Sequence, residues 1–453
     1  MRKLGTGPGS RSEKEDILTL CRRRFMPLVF FVLLALIRAI PAAAQSTASN
    51  EPATGAQEPQ PVAWQDRPGL LDGPGSVLEE LRQRGIDLSV TYTEFGQGLV
   101  AGDGNNSWRL GGKMLGKGTL DGAKLHLWKG FFINFAGELN NGANVNGVTG
   151  TVLLENTALA FPQDAGTGGD FSLNFTQKFG KRIAFSVGKF DMINAPSRTP
   201  ILGGGGLDTF WNIAFAAPPS GVLPPYVTGG NVSINTKPAT ITLMLYDPTN
   251  AQQTAGLKGW GTQGITGRIS ARFPAKIRSL PGYHTFTFAS STQTGLNLED
   301  IPQLLLPPES RSVLSAKSGY YFGSYSVQQY FHQNKDRDGT GWGMFAQLSY
   351  SDSNPNPLAG NVLVGLGGTG ILDNRPLDRA GIGYFHYYFS DALKSGLENT
   401  INFKLGNEQG MEVFYNFAVV RWFRVAADFQ LIQPGNRSYS NEFYAGISSQ
   451  IRF

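Results

Sequence analysis

The 453-residue chain carries one cysteine, Cys21, and it stands inside an N-terminal leader. Past that leader no disulfide, thiolate metal site or cysteine nucleophile is available. Histidine is nearly as scarce, with His126, His284, His332 and His386 the only four. None stands in a recognisable serine–histidine arrangement, so a hydrolase would have little to work with. One using His284 beside Phe286 and Phe288 on a membrane wall stays open as an alternative. Long apolar runs are missing as well. After the leader no stretch reaches the ~18 apolar residues of a membrane helix. A net basic charge is missing too, although the chain totals +5. Eight basic and three acidic residues in 1–44 account for all of it, leaving 31 of each sign in the remainder. That balance removes the case for nucleic-acid binding.

The leader explains its own charge. Arg22-Arg23-Arg24 precede an apolar run from Phe25 to Ile37, and Ala42-Ala43-Ala44 offers an A-x-A site before Gln45. This is the layout of a secretory signal peptide over 1–44, cleaved between Ala44 and Gln45. A membrane anchor is the alternative, but the run is short for a span. The stretch before Arg22 is long for such a leader, which leaves the true start codon open. Residues 45–76 read as a flexible periplasmic segment, rich at first in Ala, Pro, Gln and Glu. Val77 to Arg84 reads as a short helix ended by Gly85.

What the chain has in quantity is alternation. In the last residues Phe443, Ala445, Ile447, Ile451 and Phe453 share one face of an extended strand, and Tyr444, Gly446, Ser448, Gln450 and Arg452 the other. Period two running to a terminal aromatic suits a strand between lipid and water. Similar strands are expected near 86–95, 108–120, 130–139, 170–179, 182–191, 229–236, 239–246, 262–272, 283–290, 320–331, 341–350, 361–370, 380–389, 411–420, 422–431 and 443–453. The stretch 140–169 then falls in an outer loop, although Val152 to Phe161 alternates like a strand. Trp108, Trp128, Trp260, Trp342 and Trp422 sit at or near strand ends, where aromatic girdles meet lipid headgroups. The expectation is an all-β chain: a transmembrane antiparallel β-barrel of about 16 strands over 77–453, with a short N-terminal helical segment.

Several segments, taken in order, resemble the carbohydrate-selective (OprB-type) porins of Gram-negative outer membranes. They are Leu78 to Leu88, running from a helix into a first strand; Leu127-Trp128-Lys129-Gly130; Phe179 to Asp191; Asn374 to Gly383; and Met411 to Gln433 followed by Pro434-Gly435. Leu71-Asp72-Gly73-Pro74-Gly75 departs from the family by lacking the tryptophan common just before the helix. The resemblance implies a passive outer-membrane channel for small, glucose-like carbohydrates, with no enzymatic activity and no cofactor. Its partners would be sugars in transit, outer-membrane lipid and lipopolysaccharide, and the assembly machinery acting through Phe453. Monomer and homotrimer both stay open, and so does a channel for small anions or carboxylates on the same barrel.

A channel selects through bore, field and wall chemistry at its narrowest point. The loop from about 192 to 228 is the candidate constriction, since it combines Gly203 to Gly206 with Pro218, Pro219, Pro224 and Pro225. Within it Trp211 could offer a flat ring to a sugar; the alternative is a loop that caps the outer surface. Alternation turns Arg109, Lys113, Asn134, Glu138, Arg268, Arg272, Arg424 and Asp428 inward, where carboxylates and guanidinium groups could hold sugar hydroxyls or simply pair with one another. No metal site is expected: Asn334 to Gly339 is oxygen-rich but lacks the closing Glu of a calcium loop.

Overall fold

The computed structural model describes residues 63–453 apart from 105, 164–168, 196–198, 306–313, 335–339 and 373. The leader, residues 45–62 and most of the turn after Asn334 lie outside the described residues.

Sixteen antiparallel strands form one closed sheet. They are β1 (Ile86–Ala101), β2 (Arg109–Asp121), β3 (Phe131–Gly142), β4 (Gly169–Phe179), β5 (Ile183–Asp191), β6 (Tyr226–Asn235), β7 (Thr240–Tyr246) and β8 (Thr266–Ile277). The second half holds β9 (Leu280–Leu296), β10 (Ala316–Gln333), β11 (Gly341–Ser351), β12 (Leu358–Thr369), β13 (Arg379–Phe389), β14 (Glu408–Val420), β15 (Phe423–Gln433) and β16 (Glu442–Arg452). Each strand pairs with its neighbours in sequence, and β1 closes on β16 with Gly96 opposite Ile447. An open sheet would leave two rows of backbone N–H and C=O unpaired. Closure pairs them, which hydrocarbon cannot do.

Alternation then sorts side chains by solvent. On β14 Met411 and Phe417 are 43% and 41% exposed on the outside, while Glu412, Phe414 and Asn416 between them are buried within. Trp108, Trp128 and Trp260 are exposed beside strand ends. Among the described residues no helix is long and apolar enough to cross a membrane; the strands are the crossing elements. His284 stands on the outer wall, where its Nδ1 shares a hydrogen bond with the Tyr325 hydroxyl at 2.7 Å.

The connections alternate in length. At one end the hairpins are tight, as at Gly180 with φ +64°. The β8–β9 hairpin turns on Arg278 and Ser279, both at positive φ (50° and 70°), which is the backbone of a two-residue primed turn. These strands run closer together than the expected 262–272 and 283–290. Their turn lacks the Asn-Gly chemistry that usually marks one.

The start of β1 and the end of β16 both lie at the short-turn end. Residues 63–76, part of the segment expected to be flexible, are seated there against the β14–β15 turn and the end of β16. The Trp422 indole donates to the Trp64 carbonyl at 3.0 Å, and the two rings lie 5.3 Å apart. The Leu70 amide donates to the Arg452 carbonyl at 2.8 Å. Helix α1 (Val77–Gln83) follows. Its cap is Ser76, whose hydroxyl accepts from the Glu79 amide at 3.2 Å while the Glu79 carboxylate accepts from the Gly75 amide at 2.7 Å.

Candidate solute channel and its constriction

A barrel of this size has a lumen wider than its own side chains can fill. Two loops from the long-loop end, 143–168 and 192–225, fold into it through their described residues, and the wall residues these meet explain why. A loop brought inside carries backbone N–H and C=O groups that need partners. The wall supplies carboxylates for the former and an ammonium and an amide for the latter.

In loop 143–168, Glu408 accepts from the amides of Val152 (2.6 Å) and Leu153 (2.9 Å), and also from Gly435 (2.8 Å). Glu442 accepts from the Gly150 amide at 2.9 Å and from the Tyr444 hydroxyl at 2.8 Å. The loop's carbonyls turn to the other side. Lys113 donates to the Phe161 carbonyl at 2.6 Å and Asn140 donates to it at 2.9 Å. The stretch that alternates like a strand contains instead a single helical turn, α2 (Thr157–Ala160), capped by Asn156. Glu155 is wholly enclosed beside Thr151 and Tyr444. Burial pushes its carboxyl up to about 7; hydrogen bonds from Thr151 and Tyr444 pull the other way, and the charge of Glu442 adds to the rise.

Loop 192–225 is held by one wall carboxylate and a ring cluster, and across the lumen by Gln328, which accepts from the Ile201 amide at 2.9 Å, and Tyr246, which donates to the Val222 carbonyl at 2.9 Å. Glu412 accepts from the Trp211 amide and, at 3.2 Å, from that of Asn212. Phe210 packs against Phe414 (4.7 Å) and Phe345 (5.6 Å) of the wall and against Phe215 (4.5 Å) in the helical turn α3 (Ile213–Ala216). The two loops are also tied together: the Thr157 amide donates to the Trp211 carbonyl at 2.8 Å and the Ile213 amide to that of Leu154 at 2.9 Å.

Trp211 does not offer its ring to the channel. It is 1% exposed, meets Phe95 edge-on at 5.0 Å and lies over Gly446, where an added Cβ would sit 2.4 Å from the indole. A ring so enclosed fastens the loop to the wall. Several other inward candidates are covered in the same way. Lys113 and Glu138 pair at 3.5 Å with side chains 1% and 2% exposed, and Glu138 also accepts from Tyr226 at 2.6 Å. Asp428 is enclosed beneath the loops and accepts from Gln430 at 2.8 Å. Arg424 is half-buried and donates to the Leu377 carbonyl at 3.0 Å and to Asn416 at 3.3 Å. Arg109 is half-buried opposite Gln97 on the β1–β2 ladder.

The loops therefore fill the side bounded by β11–β16 and β1–β3, and loop 192–225 also meets the opposite wall, at Gln328 on β10 and Tyr246 on β7. Toward the short-turn end the opposite wall carries small polar inward side chains that pair across strands. Asn134 donates to Asn174 at 3.0 Å and to Thr176 at 3.1 Å. Thr176 meets Ser186 at 2.8 Å, Ser233 meets Thr242 at 2.8 Å, and Ser270 meets Thr287 at 3.1 Å. A hydroxyl in such a pair still keeps acceptor capacity for a solute. Arg268 and Arg272 flank Ser270 on β8, both half-buried; the Arg272 guanidinium lies 3.8 Å from the Tyr283 ring centre. Among the described residues no cluster of His, Cys, Asp and Glu is placed to hold a metal.

Sequence reasoning missed the group that fixes the loops: Glu155, Glu408, Glu412, Glu442, Asn140 and Gln430. A signal existed for Glu408 and Glu442. Both open their strands at the long-loop end on the inward face, where only a backbone brought in from a loop could use them.

Three comparisons bear on this arrangement. The sequence profile of the carbohydrate-selective porin, OprB family, matches residues 100–453. No curated protein matches the chain. Among solved structures, the high-pH form of Pseudomonas putida OprB superposes with a TM-score of 0.73 at 21% identity, over 86% of this chain and 100% of that one. Its low-pH form gives 0.49 at 17% identity, over 83% and 95%. Pseudomonas aeruginosa OccK11 gives 0.45 at 8% identity, over 81% and 96%. The first of these shares the barrel fold.

Proposed function

Because the chain belongs to the OprB family of carbohydrate-selective porins, we propose that small neutral sugars cross it by diffusion along one lane, between the two inward loops and the β4–β10 wall. The observation that carries this reading is the asymmetry of the lumen. Apolar rings and wall carboxylates are used up in holding loops on one side, and the other side presents paired hydroxyls and amides. A sugar shedding water in the lane exchanges hydrogen bonds one for one with such a wall, so passage needs neither a deep well nor bond chemistry. Among the candidates, Asn134, Arg268 and Arg272 belong to this lane. Lys113, Glu138, Trp211, Arg424 and Asp428 act on it by positioning the loops and their surroundings, and Arg109 lines the opposite side.

Residues 1–44 serve as the export signal, cut between Ala44 and Gln45, 45–76 as a periplasmic lead-in, and 77–453 as the barrel. Phe453, whose amide donates to the Val90 carbonyl at 2.8 Å in the closed seam, marks the last strand for the assembly machinery. In the membrane the barrel contacts lipid and lipopolysaccharide, as a monomer or a homotrimer, and carries out no catalysis.

Liposome swelling with the purified, refolded protein tests the central part. At matched osmolarity glucose should enter faster than a disaccharide and faster than arginine. Equal rates for all solutes would make the channel unselective, and no entry of any of them would end the porin reading.

A further inference from the structure

We propose that the lane's free charge is positive and that Arg268 and Arg272 form a subsite for the carboxylate of a sugar acid, an aldonate or uronate. The porin would then carry sugar acids as well as neutral sugars. This rests on the sugar-channel reading above and adds a substrate class to it.

Lumen carboxylates are numerous, but they face away from the lane. Glu155, Glu408, Glu412, Asp428 and Glu442 are each 0% exposed beneath the loops. Glu138 is closed off by Lys113 and Tyr226, and Asp170 by Lys189 at 2.6 Å. Each of these is enclosed or already paired, so none is free to pair with a guanidinium on β8.

The guanidinium groups of β8 are placed differently. Arg268 and Arg272 are half-buried, point inward and are separated by Ser270 alone on their face. Successive inward positions on one strand repeat at roughly 7 Å, so Arg268 and Arg272 stand about 13 Å apart along β8 with Ser270 midway, each about one hexose length from that central hydroxyl. Every residue directly opposite them is uncharged: Met244 and Ala289 for Arg268, Thr240 and Thr285 for Arg272. Arg268 has no hydrogen-bond or ion-pair partner among the described residues, and Arg272 rests on the Tyr283 ring. A guanidinium presents planar paired donors that match a carboxylate. Between the two arginines Ser270 and Thr287 offer hydroxyls to the rest of the sugar. Fixed positive charge in a narrow lumen also raises the local concentration of anions.

The test uses the membrane-inserted barrel, with wild type set against the double variant Arg268→Gln/Arg272→Gln. Two quantities are read: the ratio of gluconate to glucose flux in liposomes, and the reversal potential in a potassium chloride gradient across a planar bilayer. The wild type should be anion-selective. In the double variant the flux ratio should fall about tenfold, the equivalent of one lost charge-assisted hydrogen bond, and the reversal potential should move toward zero. An unchanged ratio, or a cation-selective wild type, overturns the proposal. Should the variant fail to insert, competition in the wild type decides. Excess gluconate should slow glucose entry where the same concentration of chloride does not, and equal slowing by both would overturn the proposal. Absence of glucose flux in the wild type is a separate result and bears on the channel reading itself.

Discussion

Replacing Glu408 by alanine should open the channel without unfolding the barrel. The carboxylate accepts from three backbone amides, those of Val152, Leu153 and Gly435, and is itself fully enclosed. Alanine leaves all three without an acceptor in a site that water does not reach. At roughly 1–3 kcal/mol for each unsatisfied buried group, the docked state loses about 3–9 kcal/mol, of which the two loop amides account for about 2–6 kcal/mol. Segment 150–153 can recover most of that by leaving the wall for water, whereas β14 keeps its ladder to β13 and β15. The variant should therefore show larger single-channel conductance and admit sugars longer than a disaccharide, with the heat-induced mobility shift of the barrel on gels unchanged. Glu408→Gln keeps one acceptor oxygen and should fall between variant and wild type. Wild-type conductance and size cut-off in Glu408→Ala would refute the claim that wall carboxylates hold the constriction.

Two further outcomes follow from other parts of the molecule. Trp64→Ala removes a ring contact and unsettles the indole bond at the β14–β15 turn; it should lower barrel stability by about 1–2 kcal/mol, seen as unfolding at lower denaturant concentration, with no change in conductance. Conductance should also depend on pH through Glu155. Burial holds its carboxyl up at about 7, so the docked loop binds a proton that the free loop releases from about 4.5 upward. Stabilisation by the neutral acid is complete below 4.5 and is lost as pH rises to about 7, a change on the order of 3 kcal/mol. Open-state conductance should therefore rise between pH 5 and pH 8, and Glu155→Gln should flatten that rise.

Strand placement was legible in the sequence because period-two alternation repeats wherever a wall separates lipid from water. At Met411 to Val419 the pattern alone tells outside from inside. It failed at the β8–β9 hairpin, where Arg278 and Ser279 adopt positive φ without a glycine or asparagine to announce it. For the site the limit is different. Alternation says that Lys113, Glu138 and Asp428 turn inward, but an inward residue can meet either open lumen or a docked loop. Only the path of 143–168 and 192–225 separates these cases, and that path is set by contacts far apart in sequence, such as Glu412 with the Trp211 amide. Trp211 shows the same limit. A tryptophan between glycines and prolines suits a sugar platform, yet the gap over Gly446 accepts its ring as an anchor.

The central claim is that solute travels along the β4–β10 wall and not along the loop-covered one. The chain's single cysteine lies in the leader, so a cysteine placed in the barrel is the only reactive thiol once residues 1–44 are removed. Ser270→Cys on β8 and Ser448→Cys on β16, the latter position 3% exposed, should be compared for attack by a water-soluble thiol reagent during conductance recording. The account predicts that Ser270→Cys is modified, that conductance then falls, and that glucose slows the reaction, while Ser448→Cys stays silent. Rapid modification at Ser448→Cys with none at Ser270→Cys would contradict it.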